Sequence, residues 1–194
     1  MFKGKFITFY GINNIGKSTH ANILCERLRK EGYECVYLKY PIYDIEPSGP
    51  YLNKIIRGND QRITENELQL WFTVNRHQFE SELKKMLAEG KTVVAEDYTG
   101  TGIAWGLTKG SDEAWLEAIN SKLLKPNFSI LIDGERARNA IEQGHIHETK
   151  DDLIQKSREI HLYLAKKYGW EIVPLQEKFE DTAKLVWAAA QKIA

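Results

Sequence analysis

Gly11-Ile12-Asn13-Asn14-Ile15-Gly16-Lys17-Ser18 fits G-x-x-x-x-G-K-[ST] at every fixed position. An apolar run, Phe6-Ile7-Thr8-Phe9, precedes it. After it Ala21, Leu24, Cys25 and Leu28 recur at helical spacing until Gly32. This strand–loop–helix context is what a phosphate cradle requires: glycines let successive backbone N–H groups turn inward, and the helix N-terminus adds positive potential. Lys17 is placed to neutralise the β- and γ-phosphates of a nucleotide, and the Ser18 hydroxyl to ligate Mg²⁺. Asn13, Asn14, Ile15, Gly16, Lys17, Ser18 and Thr19 together form the expected ATP site, with Mg²⁺ as the metal cofactor.

Outward from the loop, strands and helices alternate. Cys35-Val36-Tyr37-Leu38, Thr92-Val93-Val94-Ala95, Phe128-Ser129-Ile130-Leu131-Ile132 and Glu171-Ile172-Val173 read as further strands. Residues 41–50, with three prolines, read as a shaped loop. Thr64-Glu65-Asn66-Glu67 is a capping box that opens a long helix running to Gly90. Ser111 is placed to cap another helix, a further one spans about 151–168, and a C-terminal helix ends the chain. The alternation predicts an α/β fold with a parallel five-stranded sheet covered by helices on both faces, in three layers. With 194 residues and neither linker nor repeat, one domain over 1–194 is expected.

Composition narrows the partners. Hydrophobic content of 42% and charged content of 28% belong to a globular protein. Lys plus Arg (27) equal Asp plus Glu (27), which argues against a broad grip on nucleic acid or an anionic membrane. No apolar run approaches the ~18 residues of a membrane span, and no signal-peptide core follows Met1, so the expected location is the cytoplasm. Cys25 and Cys35 make no metal-binding pattern and read as reduced core thiols. The base-reading Asn-Lys-x-Asp of a GTPase is absent, and the compact size favours a nucleotide or nucleoside kinase.

Other segments carry a specific resemblance. Phe9-Tyr10-Gly11-Ile12-Asn13-Asn14-Ile15-Gly16-Lys17-Ser18-Thr19, Lys39-Tyr40-Pro41, Val74-Asn75-Arg76, Glu96-Asp97-Tyr98-Thr99-Gly100-Thr101, Leu124-Lys125-Pro126, Ile130-Leu131-Ile132-Asp133 and His147-Glu148 follow one another as the motifs of the thymidylate kinase family do. The chain resembles that family over nearly its whole length. The resemblance implies a P-loop kinase fold with a short lid at 143–150, ATP and a pyrimidine monophosphate as ligands, transfer of the γ-phosphate of Mg-ATP to dTMP to give dTDP, and a homodimer. It also implies an acceptor site of Asn13, Tyr40, Phe72, Arg76, Asp97, Tyr98 and Thr101, with Phe72 stacking on the base and Arg76 bonding a base carbonyl. Glu96 would stand near the metal and, with Lys17, in the catalytic set.

The chain departs from the pattern at the chemistry. Glu96 replaces the family aspartate, and Asp97 replaces the arginine that would grip the acceptor phosphate. Asn13 replaces a loop aspartate, Gly106 stands at a base-reading glutamine, and the lid lacks its arginine. Arg57, Arg62, Arg136, Arg138 and Lys150 are the candidate substitutes; the expectation places Arg136 or Arg138 on the ATP side as catalytic residues and Arg57 on the acceptor side. His145 and His147 are spaced as a metal pair, but the lid-like segment offers no further His or Cys ligand beside them. A deoxynucleoside kinase, with Glu96 or Asp97 as general base, and a catalytically weak nucleotide-binding protein stand as alternatives.

Overall fold

The computed structural model describes residues 3–57, 63–135 and 147–193. Five parallel strands, β1 (Phe6–Tyr10), β2 (Cys35–Lys39), β3 (Thr92–Glu96), β4 (Phe128–Asp133) and β5 (Glu171–Pro174), form one sheet in the order β2-β3-β1-β4-β5. β1 is buried along its whole length between β3 and β4, and side chains alternate to the two faces. Ile7 and Phe9 pack under α1 (Lys17–Lys30) and α7 (Phe179–Ala190) through Leu24, Leu28, Val186 and Ala189. Phe6 and Tyr10 face the other layer, where α3 (Glu65–Ala88) brings Leu83 and Leu87 and α6 (His147–Tyr168) brings Ala165. The expected three layers are present. No helix among the described residues is long and apolar enough to cross a membrane.

β1 and β3 are neighbours, and the chain leaves β1 toward β2 on one side and β3 toward β4 on the other, so a crevice opens at their carboxyl ends. Ligands of open parallel sheets bind there. Within the sheet Thr8 and Ser129 sit in register, their hydroxyls 2.8 Å apart, so each buried polar group has a partner.

Three local expectations are corrected. Residues 41–50 are not all loop: α2 (Ser48–Arg57) begins inside them, with Pro50 in its first turn, where a helix N–H has no intrahelical partner to lose. Asp112, not Ser111, caps α5 (Glu113–Asn120), accepting from the Trp115 N–H at 2.8 Å; the Ser111 hydroxyl donates to Asn66 Oδ1 at 2.7 Å and ties the turn to α3. Cys25 on α1 and Cys35 on β2 are joined in a disulfide rather than held as reduced thiols. A ten-residue separation in sequence concealed that helix and strand turn the two side chains toward each other. Of the capping box, the threonine half is present: Thr64 accepts from the Glu67 N–H at 3.2 Å.

A helix that periodicity missed, α4 (Thr99–Thr108), follows β3 directly. Glycines at 100, 102 and 106 lower its helix propensity, yet its backbone lies so close to its neighbours that side chains would not fit.

Candidate active site

The donor cradle is built by the loop after β1. A Cβ on Gly11 would lie 2.6 Å from the Ile132 carbonyl oxygen, so only glycine lets the loop pass over the end of β4. Asn14 (φ 63) and Gly16 (φ 95) take the left-handed conformations that curl the chain back into α1. Asn13, Asn14, Gly16, Lys17, Ser18 and Thr19 line a cavity of about 440 Å³ together with Lys39, Glu96 and Asp97. Ile15 instead turns into the core. The Lys17 ammonium, nearly buried, donates to the carbonyls of Gly11 and Ile12, both at 3.0 Å.

Glu96 ends β3 and is only 2% exposed. It accepts from the Tyr37 hydroxyl at 2.7 Å and from the Lys39 ammonium at 3.0 Å, and Lys39 also reaches the Ser18 hydroxyl at 3.2 Å. Burial pushes the Glu96 carboxyl up, but the hydrogen bonds from Tyr37, Ser18 and Lys39 outweigh it and hold the group below its ordinary range. Lys39 thus bridges the two oxygen donors expected to hold Mg²⁺. One ammonium contacting both shows that a cation fits between the Ser18 hydroxyl and the Glu96 carboxylate, and hard oxygen donors are what Mg²⁺ takes.

A second cavity, of about 510 Å³, opens beside the first. The two share Asn13, Lys39 and Asp97 in their walls. Tyr40, Phe72, Arg76, Thr101 and Gly102 line it, so most of the expected acceptor residues converge there. Arg76, 3% exposed, donates to Asn120 Oδ1 at 3.1 Å and to the Tyr98 carbonyl at 3.2 Å, and its guanidinium lies 6.0 Å from the Phe72 ring centre. Burial lowers its pKa from the ordinary value. Neighbouring Asn75 works differently: it donates to the Ile42 carbonyl (2.8 Å) and Ser48 Oγ (2.9 Å) and accepts from the Ile42 N–H (2.8 Å), clamping the proline-rich segment to α3.

Other expected residues lie elsewhere. The Tyr98 side chain is fully buried against Phe6 and Tyr40, and only its carbonyl serves the site. Gly106 packs on Leu116, away from the cavity. Arg57 is exposed at the end of α2, its guanidinium 5.2 Å from the ring of Tyr43, which does line the cavity. Arg62, Arg136, Arg138 and His145 lie outside the described residues, as does the expected lid except for the backbone of 147–150, which opens α6.

Asp97 follows β3 in a left-handed conformation (φ 61) that turns its carboxylate back toward the loop, 3.6 Å from the Lys17 ammonium. The Thr101 hydroxyl donates to it at 3.1 Å. Burial raises its pKa against the opposing pull of Lys17.

Three contributors escaped the sequence reading: Lys39, which the sequence marks only as part of the Lys39-Tyr40-Pro41 segment, and two others. Tyr37 orients Glu96 from mid-strand, with no sequence signal beyond strand alternation. Gln69, 1% exposed, lies on the cavity wall with Oε1 unpartnered, while its amide NH₂ donates to Glu65 Oε1 at 2.7 Å. Its signal was present: residues 69, 72 and 76 recur at the i, i+3, i+7 spacing of one helix face.

With this geometry in place, the comparisons agree. The thymidylate kinase family model matches residues 9–186. The chain is 27% identical to the thymidylate kinase of Plasmodium falciparum over 182 residues, covering 92% of this chain and 86% of the relative. It is 30% identical to a probable thymidylate kinase of Pyrococcus horikoshii over 178 residues, covering 84% and 82%. The solved thymidylate kinase of Candida albicans superposes with a TM-score of 0.79 at 21% identity, over 97% of this chain and 92% of that one, and so shares its fold. A phosphate loop, a second cavity joined to it and a sequence match through both place the chain in the thymidylate kinase family.

Proposed function

We propose that the second cavity seats the thymine base of dTMP and that the γ-phosphate of ATP passes to the dTMP phosphate where the two cavities meet. Family membership makes the chain an ATP-dependent nucleoside monophosphate kinase. The observation that carries the acceptor assignment is the pairing of Arg76 with Gln69. The Glu65 carboxylate fixes the Gln69 amide, since only its NH₂ end can face a carboxylate, and this leaves Oε1 as a bare acceptor near the Arg76 donors. A donor beside an acceptor matches the O4 and N3–H of thymine or uracil and mismatches cytosine, whose groups are reversed there. Phe72 supplies a stacking face.

The loop backbone and Lys17 hold the donor phosphates, and Mg²⁺, held by Ser18 and Glu96, supplies charge neutralisation when bound. Lys39, on the wall of both cavities, is the described cation best placed to meet the acceptor phosphate. No strong general base is needed for dTMP, because its attacking oxygen is already ionised. A homodimer is part of the same proposal; Leu70 and Val74 are exposed on the side of α3 opposite residues 69, 72 and 76.

ADP release from Mg-ATP with each deoxynucleoside monophosphate tests the assignment, and dTMP should have the highest kcat/KM. Gln69→Leu should cut the preference for dTMP over dCMP by about tenfold, the loss of one buried hydrogen bond. An unchanged ratio would remove Gln69 from base reading.

A further inference from the structure

Gln69, Phe72, Arg76 and Phe79 follow one another at i, i+3, i+7 and i+10 along α3, the spacing that brings residues onto one helix face. On that face Gln69 is placed to meet the N3–H of thymine and Arg76 to meet its O4. C5 comes next after C4 in the ring, so its substituent points past Arg76, toward the following helical turn. Phe79 stands on that turn, and the Tyr40 ring packs edge-on against it with centroids 6.2 Å apart. Tyr40 is also a wall residue of the second cavity, which sets it beside the 5-position of the base.

Tyr40 is buried, yet its hydroxyl has no hydrogen-bond partner among the described residues. Two neighbours carry further unpartnered polar atoms: Arg76 its Nε, and Tyr98, whose ring lies 5.1 Å from that of Tyr40, its hydroxyl. Burial raises the Tyr40 pKa, Arg76 draws it down and Glu80, one turn beyond Arg76, pushes it up, so the hydroxyl is a neutral donor close to both. Orphaned polar atoms in an interior are rare and destabilising, and three on neighbouring side chains mark a place where a polar group belongs. The 5-methyl group of thymine offers them nothing to bond.

We propose that the site also accepts a deoxyuridine monophosphate whose 5-substituent carries a hydroxyl, 5-hydroxymethyl-dUMP being the smallest, and that Tyr40 makes it bind more tightly than dTMP. The inference rests on reading the second cavity as a thymine-type site. It leaves N3 with Gln69 and O4 with Arg76, because a substituent at C5 alters neither group. The hydroxymethyl oxygen reaches one bond beyond the methyl carbon and accepts from the Tyr40 hydroxyl, while the carbon keeps the contacts of the methyl group. An apolar wall would act in the opposite sense, since a hydroxyl entering it gives up water without replacement. Among the monophosphates of the four DNA bases and uracil, dTMP stays the best acceptor.

Steady-state ADP release from Mg-ATP is measured on the full chain with dTMP, dUMP and 5-hydroxymethyl-dUMP. KM for 5-hydroxymethyl-dUMP should lie about tenfold below that for dTMP, the worth of one buried hydrogen bond. The two kcat values should be similar, because the added contact is made equally before and during transfer. A KM equal to or above that of dTMP overturns the inference and leaves the monophosphate kinase standing; turnover of none of the three overturns the pyrimidine reading with it. Tyr40→Phe, which deletes only the hydroxyl, should bring the two KM values together. A gap that persists in that variant, shown folded by circular dichroism, would remove Tyr40 as the selecting residue, and the comparison of substrates in the parent chain stands whether or not the variant folds.

Discussion

The donor cradle takes most of its wall from one stretch, Asn13 to Thr19, with Lys39, Glu96 and Asp97 completing it, whereas the acceptor cavity draws on the end of β2, on α2, on successive turns of α3 and on α4. The first holds its ligand with backbone N–H groups, which any residue supplies once the turn is made. The second reads its ligand with side chains, Phe72, Arg76 and Gln69, each fixed by partners far away in sequence. Phosphate binding therefore depends on the turn more than on the side chains around it, while base recognition depends on a few side chains.

The contrast predicts effects of different size and kind. Lys17→Ala should reduce transfer by about 1,000-fold or more for every acceptor, because it removes a cation from the developing charge; steady-state ADP release on protein shown folded by circular dichroism checks it. Retained turnover would break the division into a common donor side and a selective acceptor side.

A second test asks whether the halves share a support. α6 braces β4 through Arg158, which donates to both Asp133 carboxylate oxygens at 2.7 and 2.9 Å, and its Leu164 packs with Ile103 and Ala104 of α4. His161 lies buried on α6, donating Nδ1–H to the Ser157 carbonyl at 2.7 Å, with Nε2 unpartnered. Burial lowers its pKa to about 4. Below pH 6.5 the unfolded chain takes up a proton that the folded chain refuses, so stability is lost as pH falls from 6.5 toward 4, by about 2 kcal/mol at pH 5. Urea unfolding at pH 7 and pH 5 should show that loss in the parent and a smaller one in His161→Leu. Parallel losses would mean that other groups carry the acid sensitivity.

The smallest effect should fall on one side only. In Gly102→Ala the new methyl group would lie 2.7 Å from Arg76 Nη2 and 3.2 Å from Gln69 Oε1. Because Arg76 is held by Asn120 and the Tyr98 carbonyl, the displacement should raise KM for dTMP by about tenfold and leave KM for ATP unchanged. A matching rise for ATP would show that the cavities are not separable.

The same contrast explains what could be read from the chain. The Gly11–Ser18 loop, the five strands and the long capped helix are local patterns with local causes, and all were legible. α4 was not, because three glycines argue against a helix and only the packing of Trp170, Arg76 and Leu116 explains them. The Cys25–Cys35 disulfide and the bonding of Glu96 by Tyr37 and Lys39 depend on which strands become neighbours, which residue spacing does not encode. Tyr98 shows the reverse error: the motif marked the position, but the carbonyl does the work while the ring fills the core.

The glycine-bearing face of α4 also limits how the enzyme can be engineered. A Cβ at 100 would meet Trp170 and Tyr10, one at 102 Arg76 and Gln69, and one at 106 Leu116, so that wall offers no room for added side chains. A library aimed at new bases would lose folded or binding-competent members at those positions. Randomising 69, 72 and 76 on the opposing helix instead places variation where side chains already line the cavity, with α4 as a fixed template.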